Sequence, residues 1–291
     1  MTQFKTSPSR FIPTLIILFL CCSFTLSIGQ QIKQYDKLDE ALANPEEVLW
    51  IKLQAESLDK FPDELFLFPN LQYLDLSNSG ISSLPDSISK LSKLRFLNLS
   101  GTRIMELPKT LDQLKSLTSI QLSNLTNFDL SGALPILSRI PSLKSLDLKY
   151  DNLSELPSDI QLLQQIEVLD LSGNPIKTLP DEIASLTRLQ TLYLNNDTEL
   201  DLDQSIDVLS QIPNLNELHL ENDGFKTIPE RIKRLQKVKY LYLNNNEIRI
   251  LPASIREMGN LKYLDVEKNP IPDAYWVDYR LSPSFKINFG N

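Results

Sequence analysis

Few side chains in this sequence could carry out acid–base, nucleophilic or metal chemistry, and they are badly spaced for it. There is one histidine, His219, and the two cysteines, Cys21 and Cys22, are adjacent. A lone histidine works as a catalytic base only beside a nucleophile, and neither G-x-S-x-G nor H-E-x-x-H accompanies it. This inventory excludes multi-histidine metal sites, zinc fingers and disulfide frameworks. The eight glycines are scattered, so the sequence has no phosphate-cradling loop of the G-x-G-x-x-G or Walker type. Asp147 and Asp170 could hold a calcium ion if adjacent, although acids on the surface of an acidic protein are ordinarily just solvated. No cofactor is implied. The formal net charge is −8 and the pI is near 4.9, which disfavours nucleic acid because phosphate neutralisation needs a basic face. What remains is binding, and the elements that present the binding residues come next.

The first thirty residues read as an address. Lys5 and Arg10 precede an apolar run from Phe11 to about Ile28, and Ser27-Ile28-Gly29 is a small-x-small cleavage site. A secretory signal peptide over 1–29 is expected, with Gln30 as the new N-terminus and a secreted, periplasmic or cell-surface destination. A membrane anchor is the rival reading. The dense apolar stretch, Thr14 to Phe24, is shorter than the roughly 20 residues a span requires, so no membrane span is expected in the processed chain. A lipid on Cys21 or Cys22 is a further alternative, but Leu20 stands where such sites carry a small residue. Cleavage would remove both cysteines and leave a redox-inert protein.

The rest of the chain repeats. The pattern L-x-x-L-x-L begins at Val48, Leu71, Leu94, Leu117, Leu143, Ile166, Leu189, Leu215, Val238 and Leu261, with seven steps of 23 residues and two of 26. Its last two leucines alternate with polar residues, the period of a strand with one buried face. Seven units carry proline at one fixed place (Pro62, Pro85, Pro108, Pro157, Pro180, Pro229 and Pro252), where the chain must leave the strand. Apolar residues then follow at spacings of three, as in Pro180, Ile183, Leu186 and Leu189, which suits a short 3₁₀ or helical turn. One unit cannot bury its own leucines, but stacked units share one core, at roughly 1.5–3 kcal/mol per buried Leu or Ile. The 26-residue units, 117–142 and 189–214, share ten identities and lack the Leu-Pro turn. Longer helices are expected there, from Gly132 to Arg139 and from Gln204 to Gln211. The order of long and short steps recurs, which suggests triplication of a three-unit block.

This pattern resembles leucine-rich repeat proteins, in particular the 23-residue L-P-x-x-I class, bacterial secreted type, and it covers about 48–271. The resemblance implies an α/β repeat solenoid: a curved horseshoe with a concave parallel sheet of about ten strands and short convex helices or 3₁₀ turns. It also implies protein partners bound through the concave face. One departure matters. The position eight after the first leucine is ordinarily Asn, which bonds neighbouring turns. Here it is Asn only at 174, 246 and 269, and otherwise Glu56, Ser79, Thr102, Leu125, Asp151, Asp197 and Asp223. Asp, Ser and Thr can partly replace Asn; Leu125 and Glu56 cannot, so an irregular turn ladder is expected near them. Caps are expected at 30–47, with a helix over Tyr35–Ala43, and at 272–291, where Trp276, Tyr279, Phe285 and Phe289 would cover the last unit and Phe285–Phe289 would add an edge strand. Cysteine-stapled caps of the animal and plant type are missing, which favours a bacterial envelope protein. The sequons at Asn98, Asn124, Asn152 and Asn196 would matter only on a eukaryotic secretory path.

In each unit the third, fifth and seventh residues face away from the core. Aromatics gather there in two groups: Trp50, Tyr73 and Phe96 near the N-terminus, and Tyr193, His219, Tyr240, Tyr242 and Tyr263 near the C-terminus. Such rings serve interfaces and glycan platforms, or they only stack on one another along the sheet. For the first group both readings stand. For the second, recognition is favoured because Glu221 and Asn245 join it. His219 would lie on an open face beside Glu217, Glu221 and Tyr242, where carboxylates favour its charged form. The basic run Arg231, Lys233, Arg234, Lys237 and Lys239 reads as a solvated convex face. The expected function is non-enzymatic recognition of a protein partner on the concave face. The alternatives are a structural or adhesive envelope component, a glycan-binding protein or, less favoured, a carbohydrate-acting enzyme.

Overall fold

The computed structural model describes residues 32–54, 58–125, 127–272 and 285–290. The leader with Cys21 and Cys22, Glu56, Trp276 and Tyr279 lie outside them. Twelve short strands form one parallel sheet in chain order. They are β1 (Gln34–Tyr35), β2 (Trp50–Lys52), β3 (Tyr73–Asp75), β4 (Phe96–Asn98), β5 (Ser119–Gln121), β6 (Ser145–Asp147), β7 (Val168–Asp170), β8 (Thr191–Tyr193), β9 (Glu217–His219), β10 (Tyr240–Tyr242), β11 (Tyr263–Asp265) and β12 (Lys286–Asn288). Each pairs with the next in strict register, so that Trp50 lies opposite Tyr73 and Tyr73 opposite Phe96. The sheet does not close. It has two strands more than the ten leucine patterns, one added at each end. At the N-terminal end the expected helix is only Leu38–Ala41 (α1), because Tyr35 extends instead beside Ile51 and buries its ring over the first turn.

The apolar positions behave as stacking requires. The first, fourth and sixth residues of the units are buried along the whole length, as in Ile166, Leu169 and Leu171. Each of the seven prolines sits just before a 3₁₀ turn of five residues, such as Asp181–Ser185, with φ between −61° and −75°. The ring holds the backbone at this angle anyway, and its carbonyl accepts the turn's first hydrogen bond, as from the Ile183 amide to Pro180 at 3.1 Å. The two long units carry α-helices, α2 (Leu130–Leu137) and α3 (Leu202–Gln211). The matched Asp129 and Asp201 cap them, accepting from the Gly132 and Gln204 amides at 2.9 and 3.0 Å.

The helix α3 also bears on the basic run. Its extra turns bring Asp203 and Asp207 opposite the following 3₁₀ turn. Arg231 and Arg234 both pair with Asp207, Lys233 pairs with Glu257 at 3.1 Å, and Lys237 donates to the Ile212 carbonyl at 3.3 Å. The run stays largely exposed, as expected of a solvated face, and four of its five residues also tie one unit to the next.

One column had gone unnoticed. The eighth residue of the units from 71 onward always has a left-handed backbone: Asn78, Gly101, Asn124, Tyr150, Gly173, Asn196, Asn222, Asn245 and Lys268, with φ of 56° to 73°. This turn points the amide at the next strand, as in Gly173 to the Asn195 carbonyl at 2.7 Å. Asn and Gly dominate because they alone adopt this geometry cheaply.

The next column, the one expected to hold Asn, explains itself chemically. Asn174 Nδ2 donates to the Leu148 and Leu171 carbonyls at 2.8 and 2.7 Å, while Oδ1 accepts from the Asp151 and Leu153 amides. Asn246 repeats all four bonds one block later. Ser79 and Thr102 make only the bond to their own unit's carbonyl. Leu125 turns into the core, yet its amide is still met, by Asp151 Oδ1 at 2.8 Å. Asp151 and Asp223 keep the acceptor half of the asparagine's role. At Asp151, Asp197 and Asp223 the second oxygen is buried without a donor, in the place where Asn presents its amide to carbonyls. An ionised carboxylate there faces acceptors, and protonation turns the same atom into a donor. Burial accordingly raises Asp151 to about 7, Asp197 to about 6 and Asp223 to about 8. Acids raised in the folded state contribute stability that is complete below the ordinary pKa, near 4, and is lost as pH rises through the folded values. Melting temperature is therefore expected to fall between about pH 4 and pH 8. Asp197→Asn and Asp223→Asn should flatten that dependence and stabilise the protein at pH 8 by about 1–3 kcal/mol each, the usual cost of a buried unpaired polar group. Thermal melts across this range that show no gain for either variant would refute the account.

Candidate functional site

The sheet face is built from three outward columns, and the fifth one has a backbone task. Asp75, Asn98, Asp147, Asp170 and Asp265 each accept from the amide two residues on, at 2.9 to 3.1 Å. This Asx bond holds the chain as it leaves the strand. It also accounts for Asp147 and Asp170 without calcium. Lys149 lies between them, 3.0 Å from the first and 3.5 Å from the second, where a cation would have to sit. Burial, only partly offset by Lys149, holds Asp170 above the usual carboxylate range. Among the described residues, no three acids, histidines or cysteines cluster as metal ligands would.

The N-terminal aromatic group is largely covered, which favours the stacking alternative. Tyr73 and Phe96 are each 6% exposed and Trp50 is half-buried. Register is the cause: paired residues stand one strand apart, and the rings of Trp50 and Tyr73 tilt together with centroids 6.0 Å apart. This group stiffens the sheet and presents little area.

The C-terminal group is different. Tyr193, His219, Tyr242 and Tyr263 occupy adjacent strands and form a continuous stack. Tyr193 lies 4.1 Å from His219, His219 lies 4.2 Å from Tyr242 with an interplanar angle of 6°, and Tyr242 tilts onto Tyr263 at 5.7 Å. Tyr240, in the third column beside Glu217 and Tyr263, is 38% exposed, the most open ring of the set. Asn245 is not a strand-face residue; it belongs to the left-handed column, with φ 58°. Tyr150 was overlooked. It is exposed, has φ 57°, and its ring lies where a side chain on Gly173 would go. Its signal was its oddness among Asn and Gly at that place.

His219 is only 9% exposed, so the expected open position is wrong. Its two ring faces are covered by tyrosines, and both nitrogens meet carboxylates, Nδ1 with Glu221 and Nε2 with Glu217, each at 3.1 Å. Two carboxylates at two nitrogens suit the imidazolium, in which both nitrogens donate. Burial alone would lower the pKa, and the two acids outweigh it, so the net direction is upward. The neighbouring acids and burial also raise Tyr193 and Tyr242, so both stay phenolic. Because His219 is the only histidine, its ring proton gives one NMR titration. The midpoint should lie above the ordinary 6.5 and should fall in Glu217→Gln/Glu221→Gln. A midpoint at or below the ordinary value in the parent protein would contradict the clamp.

A family model described as a leucine-rich repeat region matches residues 131–217, and one described as leucine rich repeat matches 47–104 and 213–271. No curated relative matches the sequence. Among solved structures, an internalin from Listeria monocytogenes is 20% identical over 84% of this chain and 81% of its own, with a TM-score of 0.52. A chain in the Toll–Spätzle complex of Drosophila is 23% identical over 81% of this chain, with a TM-score of 0.57, and this chain spans 32% of it. Identities this low speak for the fold alone. With repeat matches at both ends and in the middle, and one open parallel sheet backed by 3₁₀ turns, the chain belongs to the leucine-rich repeat proteins.

Proposed function

We propose that this protein is a non-enzymatic recognition module that binds a protein partner on the sheet face of β8–β11. Leucine-rich repeat proteins are as a group binding modules for other proteins, and the face here has the features of one. The observation that carries the reading is the break in the fifth column. Tyr193, His219 and Tyr242 stand where five other units keep an Asx acceptor, and only in this stretch do rings replace it. At His219 the loss is compensated: the Glu221 amide, which an acid at 219 would have held, goes to Asn195 Oδ1 of the neighbouring unit at 2.9 Å. A local rule broken with compensation nearby marks a site kept for something other than stability. The stack is also pre-ordered, so little rotamer freedom is lost when a partner docks.

The partner-binding residues in this reading are Tyr193, Tyr240, Tyr242 and Tyr263, with His219 and Glu221 as the rigid base beneath them; Trp50, Tyr73 and Phe96 are left to the sheet. The leader with Lys5, Arg10 and the apolar run supports export to the cell envelope or beyond. No helix among the described residues is long and apolar enough to cross a membrane. Replacing Tyr240, Tyr242 and Tyr263 together by Ala should reduce crosslinked capture of the native partner by about a hundredfold or more, since aromatic anchors cost about 2 kcal/mol or more each. The circular dichroism spectrum should be unchanged. Full capture by the folded triple variant would sink the proposal.

A further inference from the structure

Carboxylates on the sheet face are answered by lysines over most of its length. Lys52 lies 3.7 Å from Asp75, and Lys149 serves both Asp147 and Asp170. Over β9–β11 this stops. Glu217 and Glu221 share the single imidazole of His219. Among the described residues Asp265 and Glu267 have neutral donors only: Asp265 accepts from the Tyr263 hydroxyl at 3.0 Å and from Asn288 Nδ2 at 3.1 Å, and Glu267 accepts from the same amide at 3.3 Å. Among the described residues no lysine or arginine pairs with any of these four acids; Lys286, which lies opposite Tyr263 on β12, forms no ion pair with them. Burial, and then the Asp265 carboxylate, raise the Tyr263 hydroxyl to about 12.

The acids alone would be ordinary solvated charges. Here they border an open aromatic surface, and the two chemistries together select a ligand. Tyr240 lies opposite Tyr263 on the next strand, and the Tyr263 hydroxyl donates to Asp265 at 3.0 Å, so the most open ring and the acids share one corner of the face. A planar guanidinium can stack on a tyrosine while its fork donates to carboxylates, which an ammonium does less well and a neutral or anionic group not at all. We infer that the partner docks a cationic, arginine-bearing polypeptide segment on β10 and β11, between Tyr240, Tyr263, Asp265 and Glu267. This rests on the sheet-face reading above and adds the chemistry of the occupant. The partner's cation supplies the charge that Lys52 and Lys149 supply elsewhere on the same face.

The test uses the full-length protein and a fluorescent peptide of alternating arginine and glycine, with the glutamate–glycine peptide as counterpart. The arginine peptide should bind at least about tenfold more tightly than the counterpart, and its affinity should drop as salt is raised past physiological strength. Asp265→Asn/Glu267→Gln keeps the acceptor oxygens that hold the backbone and Tyr263, and should weaken arginine-peptide binding about tenfold. Asp63→Asn/Glu64→Gln removes two exposed acids on the opposite, 3₁₀ side and should leave it unchanged. Equal binding by the Asp265/Glu267 variant, or an equal loss in the Asp63/Glu64 variant, would overturn the inference. If the tyrosine variant loses the native partner while the Asp265/Glu267 variant keeps it, the sheet face stands as the docking site and the cationic occupant falls. If both keep it, the docking face itself is wrong.

Discussion

Every strand side chain in this solenoid lies over its own counterpart in the next unit, about 4.8 Å away, because the strands are parallel and paired without slippage. That constraint organises the rest. A column of leucines is self-compatible and forms a continuous core from Tyr35 to Ile271. A column of prolines before the 3₁₀ turns is compatible because none of them needs a donor. A column of left-handed residues is compatible only with Asn, Gly or a residue that accepts strain, as Tyr150 and Lys268 do. Columns of charge are the difficult case, because like stacks on like in the same register that rewards leucine.

The chain resolves charge columns in three ways. On the sheet face it inserts lysine between aspartates, as Lys149 does between Asp147 and Asp170. On the opposite side it alternates signs between units, as Asp207 does with Arg231 and Arg234. In the turn column, where Asp197 and Asp223 are 2% and 3% exposed and Asp223 accepts from the Asp197 backbone, there is no room for a cation, and the proton itself becomes the compensating charge. The three solutions follow from depth: a surface leaves room for a lysine or arginine stem, and the turn interior does not.

Much of this fold could be read in the sequence because the signals are periodic. The leucine triplets located all ten repeat strands, the prolines located the turns, and the missing Leu-Pro in 117–142 and 189–214 located the two helices. The shortfalls have physical causes. The ends of a solenoid have no periodic neighbour, so the extension of Tyr35 beside Ile51 left no pattern to find. Exposure could not be read from column assignment, since whether a ring is open depends on the size of its two neighbours. Tyr73 between Trp50 and Phe96 is covered, while Tyr240 opens because Glu217 has turned towards His219. The pairing of His219 with both Glu217 and Glu221 was legible from spacing, for residues two apart on a strand share a face. That the tyrosines on either side would close over the imidazole was not.

The same rule that made the core legible also locates the candidate site. Where a column has a structural task its residue type recurs, as the Asx acceptors do from Asp75 to Asp265. A departure there removes the side-chain acceptor for the amide two residues on. Leu125 is a departure in the turn column: its own amide keeps the column's ordinary bond to Asp151 of the next unit, while its side chain joins the core and presents nothing to solvent. His219 is a departure in the fifth column, and Asn195 repairs it from the preceding unit. There the result is a stacked imidazole with tyrosines on both sides, on the outward face, bordered by acids that no lysine among the described residues answers. Stability alone would have been served by the Asp or Asn found in five other units. The second departure therefore differs from the first in what it places on the outward face, an aromatic stack bordered by acids against a buried leucine, and that difference is what favours the proposed docking on β8–β11.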